Sequence, residues 1–269
     1  MFRDLLLQEN DIDRFLFHYT TRTIFFEKIL LSHSISLGQI KYTNDPRETQ
    51  RWTLKPVAKT VELYEEELDS ENACVFFHDG LENRLKLGTR ILCMTRDQIS
   101  TDRRMWSRGF NHPRMWSQYA ANHTGVCLVF DRKILTRHLQ TSLNASGDLY
   151  LGDVDYTNDP LDDGFSFSFD YDEYLKVGLE HAARIHVARH YRRFFFHKAK
   201  DWSAEMEYRY VFHGPGASPL FIDFSDCLVG IILGDAFPYS ELDAAYSQCQ
   251  TQHIPTGRII WGDGMPMLY

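Results

Sequence analysis

The sequence predicts a mixed α+β domain, built on a split, mostly antiparallel β-sheet with flanking helices. Three observations carry this. Short apolar runs bounded by polar or turn residues, the pattern of strands, outnumber long segments of helical periodicity. The helical segments cluster early and mid-chain instead of alternating with strands, as a doubly wound sheet would require. Neither G-x-G-x-x-G nor a Walker motif occurs. A chain of 269 residues can bury a substantial core, and a single domain over 1–269 is expected.

Taken in order, residues 4–14 read as a short amphipathic helix, and Arg14-Phe-Leu-Phe-His-Tyr-Thr20 as an aromatic-rich strand. Thr20 or Thr21 can cap a helix over about 22–31, with Ile24, Phe25, Ile29 and Leu30 at helical spacing. Ser34–Leu37 is a second strand, stopped by Gly38. Tyr42-Thr-Asn-Asp-Pro46 is turn chemistry, and Pro46 opens a helix expected to run to about residue 68, ending in the acidic stretch from Glu62 to Glu71. Arg90–Thr95 reads as a central strand. Met115–Ala121 reads as a helix, with Gly125 at its left-handed stop, followed by a buried strand over Val126–Phe130. A strand over 150–156, a mobile acidic loop over 160–170 and a long helix over about 171–198 come next. The run Glu205–Phe212 reads as a strand that places Glu205 and Glu207, two apart, on one face. Strands at 219–224 and 228–233, a helix at about 239–249 and a last strand at 258–261 complete the chain.

Composition narrows the function classes. No apolar run approaches the roughly 20 residues of a membrane span, and the N-terminus lacks a signal-peptide pattern. The five cysteines are scattered without C-x-x-C spacing, which indicates neither a zinc ribbon nor a disulfide framework and points to a reducing, cytoplasmic setting. A net charge of −8 argues against a dedicated nucleic-acid binder, although Arg184, Arg189, Arg192, Arg193 and Lys198 give the 171–198 helix a basic half able to contact phosphate. His186 and His190 have i, i+4 spacing but no intervening acid of the H-E-x-x-H kind, so no metal is assigned. No G-x-S-x-G occurs, and no cysteine stands in a nucleophile-like setting.

The residues that could do chemistry are His18-Tyr19-Thr20 at the end of the first strand, Asn44-Asp45-Pro46-Arg47-Glu48, Trp116, Ser117 and Tyr119 on the Met115 helix, and Lys198-x3-Trp202-x2-Glu205-x-Glu207-x-Arg209. Two acids and a base side by side are poor core material, because buried charge must be paired.

In that order these segments resemble a bacterial domain-of-unknown-function family (number two-nine-seven-one), over roughly residues 15–235. A strand ending His-Tyr-Thr, followed directly by a helix and a short second strand, also looks like the opening of the ADP-ribosyltransferase fold. That resemblance implies a protein that binds NAD as substrate and cleaves its nicotinamide–ribose bond, passing ADP-ribose to an unknown macromolecular acceptor, protein or nucleic acid, or to water. By analogy it suggests a toxin or an anti-phage defence component. It implies that His18 hydrogen-bonds a ribose hydroxyl with Thr20 nearby, and that Tyr119 or Trp116 stacks on the nicotinamide. Glu207, or else Glu205, would be the late catalytic glutamate, and Arg209 would orient it or contact a phosphate. Tyr19, Asn44, Asp45 and Ser117 complete the implied site. Tyr119 departs from the superfamily pattern, since it falls in a helix where a strand residue is usual. The alternatives are a non-catalytic nucleotide-binding module on the same fold and an interaction protein in which His18 and the glutamates are structural.

Overall fold

A computed structural model of the chain describes residues 2–8, 11–49, 51–52, 54–57, 80–98, 105–161 and 167–269. Its strands are β1 (Phe15–Thr20), β2 (Ser34–Gln39), β3 (Lys55–Val57), β4 (Thr89–Arg96), β5 (Val126–Asp131), β6 (Asp148–Asp153), β7 (Asp155–Tyr156), β8 (Ser168–Asp170), β9 (His197–Lys198), β10 (Glu207–His213), β11 (Leu220–Asp223), β12 (Leu228–Leu233), β13 (Thr256–Gly262) and β14 (Met265–Leu268). Ten of them form one sheet in the order β11-β2-β4-β1-β5-β12-β13-β14, with β10 on β4 and β6 beyond β10. Among the described residues, only the β12–β13 pairing in it is parallel. This is an α+β protein with a mixed, mostly antiparallel sheet.

The sheet divides at β4. Along one edge β4 is zipped to β10 from Thr95↔Glu207 to Thr89↔His213. Two strands share its other edge: β1 pairs at Phe17↔Thr95 and Leu16↔Arg96, and β2 pairs at Gly38↔Ile91 and Gln39↔Arg90. Leu92, Cys93 and Met94 therefore have no register partner on that edge, and β1 and β2 diverge around them. Alternation of side chains makes two cores. Leu16, Leu92, Leu128, Tyr210 and Ile231 pack on one face. Phe17, Val129 and Ile232, and separately Ile91 and Val211, pack on the other.

Several boundaries differ from the sequence expectation, each for a local reason. The first helix is Phe2–Gln8, and beyond it Asp11 accepts the Asp13 amide in a side-chain-closed turn. The helix opened by Pro46 ends at Thr49, and Lys55–Val57 is a strand, because Pro56 cannot continue a helix. The acidic stretch from Glu62 to Glu71 lies outside the described residues. Part of the expected 160–170 loop is β8, which pairs with β3, while 162–166 lie outside the described residues. A helix at Arg132–Leu143 was missed although its signals are plain: Asp131 caps the Lys133 and Ile134 amides, and Leu135, Leu139 and Leu143 are buried at i, i+4 spacing. The hairpin partner β14 was missed as well.

The Met115 helix spans Pro113–Tyr119, and its left-handed exit uses Ala121, Asn122 and His123 (φ 47°, 52° and 67°), not Gly125. Gly125 serves a close approach instead. A Cβ there would collide with the Thr20 carbonyl and come within 2.9 Å of Ala120 Cα, both of them backbone atoms that cannot yield cheaply. Gly125→Ala is expected to cost about 1–3 kcal/mol, the usual range for overpacking, as measured by urea denaturation.

The long helix is Tyr171–Phe195, interrupted at Gly178 (φ 77°). Its arginines are not a free phosphate-binding face. Arg184, Arg189 and Arg192 pair with Asp148, Glu173 and Asp155, and Arg193 donates to the Leu161 and Pro160 carbonyls. Lys198 lies beyond the helix, in β9.

At the far end of β10, His213 Nδ1 meets the Thr89 hydroxyl at 3.0 Å, and that hydroxyl donates to the Leu85 carbonyl. Burial lowers the His213 pKa to about 4. Stability from the neutral ring is whole above the unfolded pKa near 6.5 and is lost as pH falls toward 4, on the order of 3 kcal/mol in all. Wild type is therefore expected to lose more Tm between pH 7.5 and 5 than His213→Gln; equal losses would reject the assignment.

Candidate functional site

A cavity of about 320 Å³ opens where β1 and β2 part over the unpaired middle of β4. Because the gap runs through the sheet, residues of both alternation sets reach it. Of the residues expected to form a site, His18, Tyr19, Asn44, Tyr119, Glu205 and Glu207 line this cavity. They come from β1, the loop after β2, the end of the Pro113 helix, the turn before β10 and the first residue of β10, and only the tertiary fold joins them.

His18 Nδ1 lies 3.0 Å from the Cys93 carbonyl oxygen, so Nδ1–H donates and Nε2 is left as an acceptor. Burial lowers the ring's pKa, outweighing the opposing pull of the Cys93 carbonyl, and favours the neutral form. The carbonyl is available because Cys93 has no β-ladder partner on that edge.

Glu205 and Glu207 do not share a strand face as expected. Glu205 ends the 3-10 turn Lys200–Glu205, Met206 takes a left-handed φ of 47°, and the strand begins only at Glu207. The two carboxylates converge because one cation lies between them. Lys198 Nζ is 2.6 Å from Glu205 Oε2 and 2.9 Å from Glu207 Oε2. Tyr119 donates to Glu205 Oε1 at 2.5 Å and accepts from Asn44 Nδ2 at 2.9 Å. Burial first, then the Glu205 charge, pushes the Tyr119 pKa up and keeps it a phenol.

Behind Glu207 stands Arg209, fully buried and not lining the cavity. Its fork grips Glu207 through Nε–Oε1 (2.5 Å) and Nη2–Oε2 (3.1 Å), and Nη1 reaches Glu48 and the Phe195 carbonyl. Burial alone would raise the Glu207 pKa, but Arg209 and Lys198 overcome it and hold the group at about 2. Burial raises the Glu48 pKa despite Arg209, and among the described residues Glu48 Oε2 has no hydrogen-bond partner. The cluster thus reads as three carboxyl groups around two cations, with Glu207 held ionised and Glu48 drawn toward its neutral form.

Several expected ligand-binding residues serve the scaffold instead. Trp116 is fully buried and donates its indole N–H to the Phe110 carbonyl at 2.8 Å, so it cannot stack on a ligand. Ser117 is exposed, bonded to Asn122, and not at the cavity. Asp45 is buried and clasps the Arg47 and Ala199 amides, fastening the loop after β2 to the segment carrying Lys198. Thr20 is buried at the β1–β5 pairing and does not reach the cavity. Cys93 and Thr95 were missed as site residues, and Glu48 was given no role. Glu48 was legible as a polar residue in the Asn44–Glu48 run, whereas Cys93 and Thr95 look like ordinary strand residues.

Residues 115–210 match the sequence model of a family described as a protein of unknown function, DUF2971. The matched span holds Tyr119, Lys198, Glu205, Glu207 and Arg209 but neither His18 nor β4. No curated protein and no solved structure matches the chain. Among the described residues no cluster of three or more His, Cys, Asp or Glu could hold a metal, and no helix is long and apolar enough to cross a membrane.

Proposed function

We propose that this protein binds NAD in the β4 cavity, on an ADP-ribosyltransferase-like split sheet, and cleaves the nicotinamide–ribose bond. ADP-ribose would pass to a macromolecule or to water. The observation that carries the reading is that His18 and the Glu205–Glu207 pair, nearly 190 residues apart in sequence, line one cavity at the sheet's split. A volume of about 320 Å³ lies at the small end of the range for ligand sites, roughly 300–1,000 Å³. It suits the nicotinamide–ribose end of NAD, with the rest of the molecule toward the open mouth.

The chemistry asked of these residues is electrostatic. Breaking the bond gives an oxocarbenium-like transition state, and a carboxylate fixed before the reaction stabilises the developing positive charge without reorganising. Glu207 suits this role through its low pKa and its fixed orientation in the Arg209 fork. Neutral His18 offers Nε2 as an acceptor for a ribose hydroxyl. Tyr119, anchored by Asn44 and Glu205, replaces Trp116 as the aromatic wall.

Nicotinamide release from NAD by the purified protein, with and without cell lysate as a source of acceptors, tests the reading. Release that depends on His18 and a glutamate supports it. One observation favours a second reading, a nucleotide-binding module without turnover: both carboxylates are already engaged by Lys198. Saturable NAD binding with no nicotinamide release would select that reading.

A further inference from the structure

We propose that Thr95 is the residue that recognises the second hydroxyl of the ribose diol bound at Glu207, an assignment that rests on the NAD reading above. Thr95 sits in β4 between Phe17 of β1 and Glu207 of β10, directly in register with both. Residues directly opposite in antiparallel strands share a face, with Cβ atoms about 5 Å apart. Thr95 and Glu207 therefore stand side by side on one face, and both line the cavity.

Thr95 is 1% exposed, yet among the described residues its hydroxyl has no hydrogen-bond partner. A buried hydroxyl without a partner is destabilising, and a valine of the same shape would avoid that cost. The residue lines the cavity and lies in register with Glu207, and we take its unpartnered hydroxyl to be the group that reads the ligand. Two adjacent polar groups, one an obligate acceptor and the other both donor and acceptor, match the two neighbouring hydroxyls of a ribose. Glu207 takes the 2′-hydroxyl of the nicotinamide ribose and Thr95 the 3′-hydroxyl.

The test is calorimetric binding of NAD, and of NAD lacking the 3′-hydroxyl on its nicotinamide ribose, to wild type, Thr95→Val and Thr95→Ser, beside the Tm of each. Thr95→Val is expected to weaken NAD binding by about tenfold while leaving the 3′-deoxy analogue unaffected. Its Tm should equal or exceed that of wild type, and Thr95→Ser should restore NAD affinity. A valine variant that binds NAD as wild type does would overturn the Thr95 assignment and leave the NAD reading standing. An equal loss on both ligands would also overturn it, by showing a packing effect. A wild-type protein that binds neither ligand would overturn the NAD reading and this assignment together.

Discussion

Replacing Arg209 by methionine is expected to remove about 3–5 kcal/mol of folding stability, a large share of the roughly 5–15 kcal/mol that holds a typical domain. The guanidinium is wholly buried and is the main counter-charge to Glu207, itself 4% exposed. Methionine fills much of the same volume, so the loss is mainly electrostatic. Glu207 would keep Lys198 but forfeit the bidentate fork, in a setting where burial already works against its charge. Its pKa should rise from about 2, bringing its titration into the range of ordinary pH measurements. Glu48→Gln is expected to cost much less, because burial already draws Glu48 toward its neutral form. Chemical denaturation of the three proteins at pH 7 separates these outcomes. Equal losses for Arg209→Met and Glu48→Gln would contradict the assignment of Arg209 mainly to Glu207.

The second large effect concerns turnover. Glu207→Gln is expected to lower nicotinamide release from NAD by on the order of a hundredfold or more, since one aimed charge in a water-poor site is worth a few kcal/mol of barrier. Glutamine preserves size and removes only the charge. The loss should fall on kcat more than on KM, because the charge acts on the transition state. With a pKa of about 2, wild-type Glu207 stays ionised above about pH 4, so it should contribute no acid limb to the rate profile there. Thermal melts are needed alongside, since the variant leaves Arg209 and Lys198 with less counter-charge. If Glu207→Gln retains wild-type turnover and Glu205→Gln loses it, the roles of the two glutamates exchange. If neither variant loses activity, the electrostatic account fails.

Much of the scaffold was legible locally. The aromatic run at 14–20, the apolar run at 90–95 and Val126–Phe130 declared themselves as strands by period and composition, and as β1, β4 and β5 they form the heart of the sheet. The helix Arg132–Leu143 was equally declared, by its Asp131 cap and leucine spacing, and was overlooked. Other features gave no local signal. Glu205-Met-Glu207 has the spacing of a strand face, but a left-handed Met206 breaks the period, and no side-chain pattern marks that conformation in a methionine. Trp116 looked available because aromatic residues serve equally as core and as ligand platform; packing against Tyr19 and the Phe110 carbonyl decided for core.

By itself the sequence determined the element types and a mostly antiparallel α+β sheet, because these follow from periodicity, caps and turn residues within a few positions of each other. It also determined which polar residues demanded an account, since charges amid apolar runs are costly unless paired. Only the tertiary structure decided the pairing. Strand register set Thr95 beside Glu207, the divergence of β1 and β2 freed the Cys93 carbonyl for His18, and Lys198 left the helix to stand between two glutamates. Those relations join residues far apart in the chain. They depend on which strand edges remain unpaired after the sheet has formed, a property no single segment carries.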